Sequence, residues 1–149
     1  MAIVIVAGPS CAGKSHFIKE YFPRHRVIDL FEFQRDITIS IPAVMKSYEQ
    51  CRDALVEAVQ HHENVVLEHT LLKAIRRKMY IDAIKEVTDE PIEIYFLFPC
   101  MTKHMEYAQQ RDAGWTANEL QNMRDIAEFP TVEEGFHAVH IIEDTEVWK

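Results

Sequence analysis

Three features of the sequence predict an α/β fold: a five-stranded parallel sheet with helices on both faces. A branched apolar run, Ala2 to Ala7, stops at Gly8-Pro9, as a strand buried on both faces does. Further short apolar runs alternate with stretches of helical length, the β-α-β-α pattern of a parallel sheet covered by helices. The loop between the first run and the first helix holds two of the chain's four glycines. No repeat, low-complexity segment or linker interrupts the 149 residues, so 1–149 read as one domain.

Each element has its own signal. Lys14 to Phe22 reads as a helix that ends before Pro23, and Arg26 to Leu30 as the second strand. Residues 31 to 42 are ambiguous. Ile37-Thr38-Ile39-Ser40-Ile41 alternates like a strand but runs into Pro42, so the stretch is read as a loop or an irregular helix start. Val44 to His62 is a longer helix with Cys51, Leu55, Val59 and His62 along one face. Asn64 to Glu68 is the third strand, followed by a helix from Leu72 to Val87 with Ile75, Met79 and Ile84 on its apolar side. Pro91 opens the fourth strand, Ile92 to Phe98, and Pro99 ends it. Met101 to Arg111 and Thr116 to Ala127 are helices separated by Gly114, and Val139 to Ile142 is the last strand.

Composition narrows the function classes. With 48% apolar and 27% charged residues the chain falls among soluble globular proteins, and no apolar run reaches the roughly 18 residues of a membrane span. The N-terminal run lacks a basic segment and a small-residue cleavage site, so it reads as a strand rather than a signal peptide. Sixteen Lys and Arg against 24 Asp and Glu leave a net charge of -8, which argues against an extended nucleic-acid partner. Cys11, Cys51 and Cys100 are odd in number, far apart and without a C-x-x-C, which fits a reduced, cytoplasmic setting. The eight histidines form no metal set: His61-His62 close a helix, and His137 and His140 straddle a strand on opposite faces.

Gly8-Pro9-Ser10-Cys11-Ala12-Gly13-Lys14-Ser15 matches G-x-x-x-x-G-K-[ST] at every fixed position, and it lies between a strand and a helix as that loop must. A loop that wraps phosphate exposes consecutive N–H groups and needs positive φ, which glycine permits. The helix N-terminus adds partial positive charge. Lys14 would reach the β- and γ-phosphates, and the Ser15 hydroxyl would hold Mg²⁺. With His16 on the next turn, Gly8 to His16 form the expected ATP-binding set. No N-K-x-D, no D-x-x-G after a strand and no large arm follow, so a kinase is favoured over a GTPase or a motor ATPase.

Ligands in such sheets lie at the carboxyl ends of the strands. Asp29 falls there on the second strand, Glu32 one turn later, and Glu68 at the end of the third. A kinase needs one carboxylate to orient or deprotonate the accepting hydroxyl and often another for the metal's waters. Asp29 or Glu32 is the candidate base, and Glu68 the group for acceptor or metal water. Among cations that would offset charge on the transferred phosphoryl, Arg111 lies where a short lid would fall, Arg124 on the next helix and Arg35 on the acceptor side.

With these residues placed, the chain resembles the P-loop kinases grouped around polynucleotide kinase and zeta toxin. The likeness rests on Gly8 to Ser15, on Val65-Val66-Leu67-Glu68-His69-Thr70-Leu71 with Arg76-Arg77, and on Phe129-Pro130-Thr131-Val132-Glu133-Glu134-Gly135-Phe136. It implies the P-loop NTPase fold, a three-layer α/β/α sandwich whose five-stranded parallel sheet has the order 2-3-1-4-5, with ATP and Mg²⁺ as cofactors and a hydroxyl as phosphoryl acceptor. It also implies that Lys14 and Ser15 serve phosphate and metal, that Glu68 is the acidic residue after the third strand, and that Arg111 is the lid arginine. The chain departs from that pattern on the acceptor side. Asp29-Leu30-Phe31-Glu32-Phe33-Gln34-Arg35 stands where Asp-Asp and a nearby Arg are usual, and His69 and Leu71 replace two asparagines.

The leading expectation is therefore ATP-dependent phosphorylation of a small-molecule hydroxyl on a nucleotide, nucleoside or sugar derivative. A polynucleotide 5′-hydroxyl kinase and a nucleotide-binding regulatory protein without catalysis are the alternatives. The acceptor's identity and the oligomeric state are not encoded in any motif.

Overall fold

The computed structural model describes residues 3–35, 40–111 and 114–143. Five parallel strands form one sheet: β1 (Ile3–Ala7), β2 (Arg26–Asp29), β3 (Val65–Glu68), β4 (Ile92–Leu97) and β5 (Ala138–Ile142), in the order β2-β3-β1-β4-β5. This is the predicted order. Its register sets Val6 beside Glu68 and Glu68 beside Asp29, so all three strands end at one edge.

The two-residue period of β1 divides the core. Ile3, Ile5 and Ala7 face one cluster with Val65, Leu67, Leu55 and Ile84. Val4 and Val6 face another with Val66, Phe17 and Ile18. Helices α2 (Ile41–Gln60) and α3 (Ala74–Val87) cover the first face, and α1 (Lys14–Tyr21) covers the second. Full burial of one such aliphatic side chain is worth about 1.5–3 kcal/mol, so both faces are driven shut. Helices α4 (Met101–Arg111) and α5 (Ala117–Ile126) lie between β4 and β5 in the chain.

Three local expectations are corrected. The helix after the ambiguous stretch starts at Ile41 rather than Val44. Ser40 caps it by accepting from the Ala43 N–H, and Pro42 sits in the first turn, where its missing N–H leaves no bond unmade. Residues 36–39 of that stretch lie outside the described residues. His62 lies beyond the end of α2 and is exposed, so it is not on the buried face of Cys51, Leu55 and Val59. On α3 the phase differs: Ile75 is 75% exposed, and the buried face carries Arg77, Tyr80, Ile81 and Ile84. An arginine takes an apolar place there because a carboxylate reaches it from another segment. No helix among the described residues is long and apolar enough to cross a membrane.

Candidate active site

The loop after β1 is shaped by what surrounds it. Gly8 has φ +138, and a Cβ there would stand 2.3 Å from the Leu97 carbonyl oxygen, so no other residue fits. Its N–H donates to the Thr70 carbonyl at 2.9 Å, and the His69 N–H donates to Val6, which extends the β1–β3 ladder past the strand ends. Cys11 (φ 63) and Gly13 (φ 99) also take the left-handed region, which turns the chain tightly into α1. The Lys14 Nζ donates to the Gly8 and Pro9 carbonyls at 2.8 and 2.9 Å, so the ammonium lies over the loop.

Strand alternation decides where Glu68 goes. Val65 and Leu67 face α2 and α3, and Val66 faces α1, so Glu68 falls on the α1 side. There the Ser15 hydroxyl donates to Glu68 Oε2 at 2.8 Å. Two hard oxygen ligands on adjacent elements suit Mg²⁺, which takes one or two protein groups and keeps several waters. At the neighbouring strand end, Asp29 Oδ1 accepts from the Phe31 N–H at 3.0 Å and caps the 3₁₀ turn Leu30–Phe33. That bond holds the carboxylate at the sheet edge.

These groups line one cleft of about 660 Å³. Ser10, Cys11, Lys14, Ser15 and Glu68 line one half of it; Asp29, Phe31, Gln34, Tyr48, His69 and Trp115 line the other. Phe31 is 65% and Trp115 40% exposed, so two large aromatic faces are left open at the mouth. His69 is 3% exposed, with its ring against the edges of Tyr48 and Tyr80. Its Nδ1 accepts from the Leu71 N–H at 3.3 Å, so Nε2 carries the proton, and among the described residues that buried donor has no acceptor. Burial, reinforced by the charges of Lys14 and Arg76, pushes its pKa down to about 3, so the ring is neutral at pH 7.

The turn after His69 is strained and clamped. Leu71 is buried at φ 41, a conformation of order 1–3 kcal/mol uphill for a non-glycine residue. Its carbonyl accepts from Arg77 Nη1 at 2.9 Å. Arg77, fully buried, forks onto Glu134 at 2.7 and 3.1 Å, and Glu134 also accepts from the Thr131 N–H. The basic helix start and the Pro130–Phe136 stretch, quoted separately from the sequence, are thus halves of one clamp behind the half of the cleft that holds His69.

A second support lies outside the phosphate loop. His104 on α4 is fully buried, and its Nε2 lies 2.7 Å from the Ser10 carbonyl oxygen. Arg124 Nη1 lies 3.2 Å from His104 Nδ1 and donates to Pro99 at 2.6 Å, with the guanidinium 4.2 Å from the Phe98 ring centroid. Burial lowers the pKa of His104, as do the charges of Arg124 and Lys14, against the opposing effect of the Ser10 bond. Beside it, Cys11 is buried with Ala108 and Leu120 in a small apolar cluster.

The structure brings Lys14, Ser15, Asp29 and Glu68 to one cleft, together with Ser10 and Cys11 of the loop. Gly8, Pro9, Ala12 and Gly13 form the buried backbone of the loop, and His16 is exposed on the first turn of α1. Of the expected acids and cations, three do not line the cleft. Glu32 and Arg35 are exposed, because the 3₁₀ turn carries them away from Asp29. Arg124 is bound to Pro99 and His104, not to the cleft. Arg111 closes α4, and its side chain lies outside the described residues. Sequence reasoning missed Phe31, Gln34, Tyr48, His69 and Trp115 as lining residues, and His104 behind the loop. His69 lies in the Val65–Leu71 segment and Phe31 and Gln34 in the Asp29–Arg35 segment, but nothing in either marks them as lining residues, and Tyr48, Trp115 and His104 lie outside every quoted segment.

No protein-family profile and no curated protein sequence matches the chain. Solved structures do. A sugar kinase from Janibacter sp. is similar at TM-score 0.69 and 13% identity, over all of this chain and 87% of that one. A gluconokinase from Sinorhizobium meliloti gives 0.66 and 16%, over 99% and 85%. A chain of the PezAT toxin–antitoxin system of Streptococcus pneumoniae gives 0.59 and 16%, over 95% and 67%. With the strand order and the loop at Gly8–Ser15, these likenesses show that the chain has the P-loop kinase fold.

Proposed function

We propose that this protein is an ATP-dependent kinase that phosphorylates a hydroxyl of a small, uncharged acceptor carrying an apolar ring face, such as a nucleoside or a sugar derivative. The observation that carries the reading is the convergence of Lys14, Ser15, Glu68 and Asp29 on one cleft from a loop and two strand ends. In this reading the loop N–H groups and Lys14 bind the ATP phosphates, and Ser15 with Glu68 holds Mg²⁺, which when bound neutralises charge on the β- and γ-phosphates. Asp29, fixed through Oδ1, offers Oδ2 to the acceptor hydroxyl. It takes that proton as the acceptor oxygen bonds to the γ-phosphorus and the bond to the bridging oxygen of ADP breaks.

The acceptor class follows from the lining. Among its described residues Lys14 is the one cation, and it belongs to the phosphate half. Two carboxylates favour hydroxyl donors, and Phe31, Tyr48 and Trp115 offer faces for a ring. A polynucleotide would need a basic path to Lys14. Incubation with γ-labelled ATP and a panel of nucleosides, sugars, their phosphates and a 5′-hydroxyl oligonucleotide tests the reading. Label on an uncharged acceptor, lost in Asp29→Asn, is the expected result. Label on the oligonucleotide promotes a polynucleotide kinase. ATP binding without transfer to any of them promotes a regulatory nucleotide-binding role.

A further inference from the structure

A loop that turns its N–H groups inward toward phosphate must turn its carbonyls outward, and each outward carbonyl needs a partner behind the loop. The Gly8 and Pro9 carbonyls instead accept from Lys14 Nζ on the cleft side. Ser10 is served by His104, a residue of α4 that lies 94 positions away and outside every motif. The next residue, Cys11, is held at φ 63, where a non-glycine side chain is strained. Flipping the Ser10–Cys11 peptide would release that strain. It would also aim the Ser10 carbonyl at the phosphate and turn the Cys11 N–H away from it.

We propose that His104, held by Arg124 in its Nε2–H tautomer, is a positioning residue that keeps this peptide unflipped and the phosphate loop ready for nucleotide. Arg124 has only donors, so the bond at 3.2 Å requires a lone pair on Nδ1. The imidazole proton then sits on Nε2, the atom 2.7 Å from the Ser10 oxygen. The other tautomer would set two lone pairs against each other there. A protonated ring would set its Nδ1–H against Arg124. The packing of Cys11 against Ala108 and Leu120 acts in the same direction, because α4 and α5 grip the loop at two adjacent residues. The proposal rests on reading Gly8 to Ser15 as the nucleotide site, and it gives Arg124 a role through His104 rather than on substrate.

The test is MgADP titration of the parent, His104→Leu and His104→Gln, with imidazole ¹⁵N spectra of the parent and Arg124→Met. Loss of the bond in His104→Leu is expected to weaken MgADP about tenfold. The glutamine amide can donate to Ser10 and accept from Arg124, so His104→Gln should bind within about threefold of the parent. The resonance missing from His104→Gln identifies His104, which should read as neutral Nε2–H in the parent and with a larger share of Nδ1–H in Arg124→Met. The proposal is overturned if His104→Leu folds and binds like the parent, if His104→Gln is as weak as His104→Leu, or if the parent ring is an Nδ1–H tautomer. Should His104→Leu not fold, the glutamine variant and the two spectra decide alone. A parent that binds no MgADP refutes the phosphoryl-transfer reading, while the spectra still decide the relay.

Discussion

In the proposed reading the cleft has a phosphate half and an acceptor half, and the two are built on different principles. Apart from Glu68, the phosphate half comes from the eight consecutive residues Gly8 to Ser15, and in this reading most of its recognition is backbone: N–H groups, φ values, one lysine. The acceptor half is assembled from side chains at Asp29, Phe31 and Gln34, at Tyr48, at His69 and at Trp115, which meet only in the fold. Binding a phosphate tolerates almost any side chain at the x positions of its loop. Choosing an acceptor depends on side chains that no local pattern ties together. The same contrast holds one layer out, where His104 supports the first half and the Arg77–Glu134 clamp supports the second.

Substitutions that strike one half at a time break this comparison most sharply. The largest effect is expected at Asp29. Asp29→Asn keeps the volume and removes the base, so turnover should fall about 10²–10⁴-fold with little change in MgADP affinity. Equal turnover would move the base elsewhere in the cleft. Behind the same half, Glu134→Gln leaves the Arg77 charge buried without a counter-charge. It should cost about 3–5 kcal/mol in denaturant unfolding. A loss under about 1 kcal/mol would mean that the arginine finds water or another acceptor.

The phosphate half answers to a ligand instead. MgATP at a hundredfold excess over Kd should stabilise the parent by about 2.7 kcal/mol, and Lys14→Ala should abolish most of that shift. An undiminished shift in the variant would remove Lys14 from nucleotide binding.

The difference also explains what could be read from the sequence. Element order and the Gly8–Ser15 loop were legible because each is encoded in contiguous residues with a fixed period or spacing, and strand order followed from the family that the loop and two other segments resemble. Asp29 and Glu32 could not be separated, since they are three positions apart and only the 3₁₀ turn after β2 sends one into the cleft and the other to solvent. Helix α3 misled its apolar period: Ile75 is exposed, and Arg77 is buried by a partner 57 residues away. His104 carries no sequence signal, because a lone histidine on an amphipathic helix looks the same whether it faces water or a loop carbonyl. The start of α2 was hidden by Pro42, which ends helices inside them but is tolerated in the first turn.

The smallest effect expected is a pH dependence that belongs to the acceptor half. His69 is ordinary in the unfolded chain, near pKa 6.5, and held down to about 3 in the fold by burial and by the charges of Lys14 and Arg76. Below pH 6.5 the unfolded state therefore binds a proton that the native state refuses, and stability falls as pH falls. Between pH 7 and pH 5 the loss from this one residue is about 2 kcal/mol, and it depends only on the folded value lying well below 5. His104, also lowered, tilts the curve the same way. His69→Phe keeps a ring between Tyr48 and Tyr80 but removes the titration. It should be less stable than the parent at pH 7, because the Leu71 N–H loses its acceptor, and should lose about 2 kcal/mol less than the parent on going to pH 5. Denaturant midpoints at pH 7, 6 and 5 for both proteins measure the two slopes. Parallel slopes would mean that His69 is protonated in the native state, and the neutral N–H donor at the floor of the acceptor half would be lost with it.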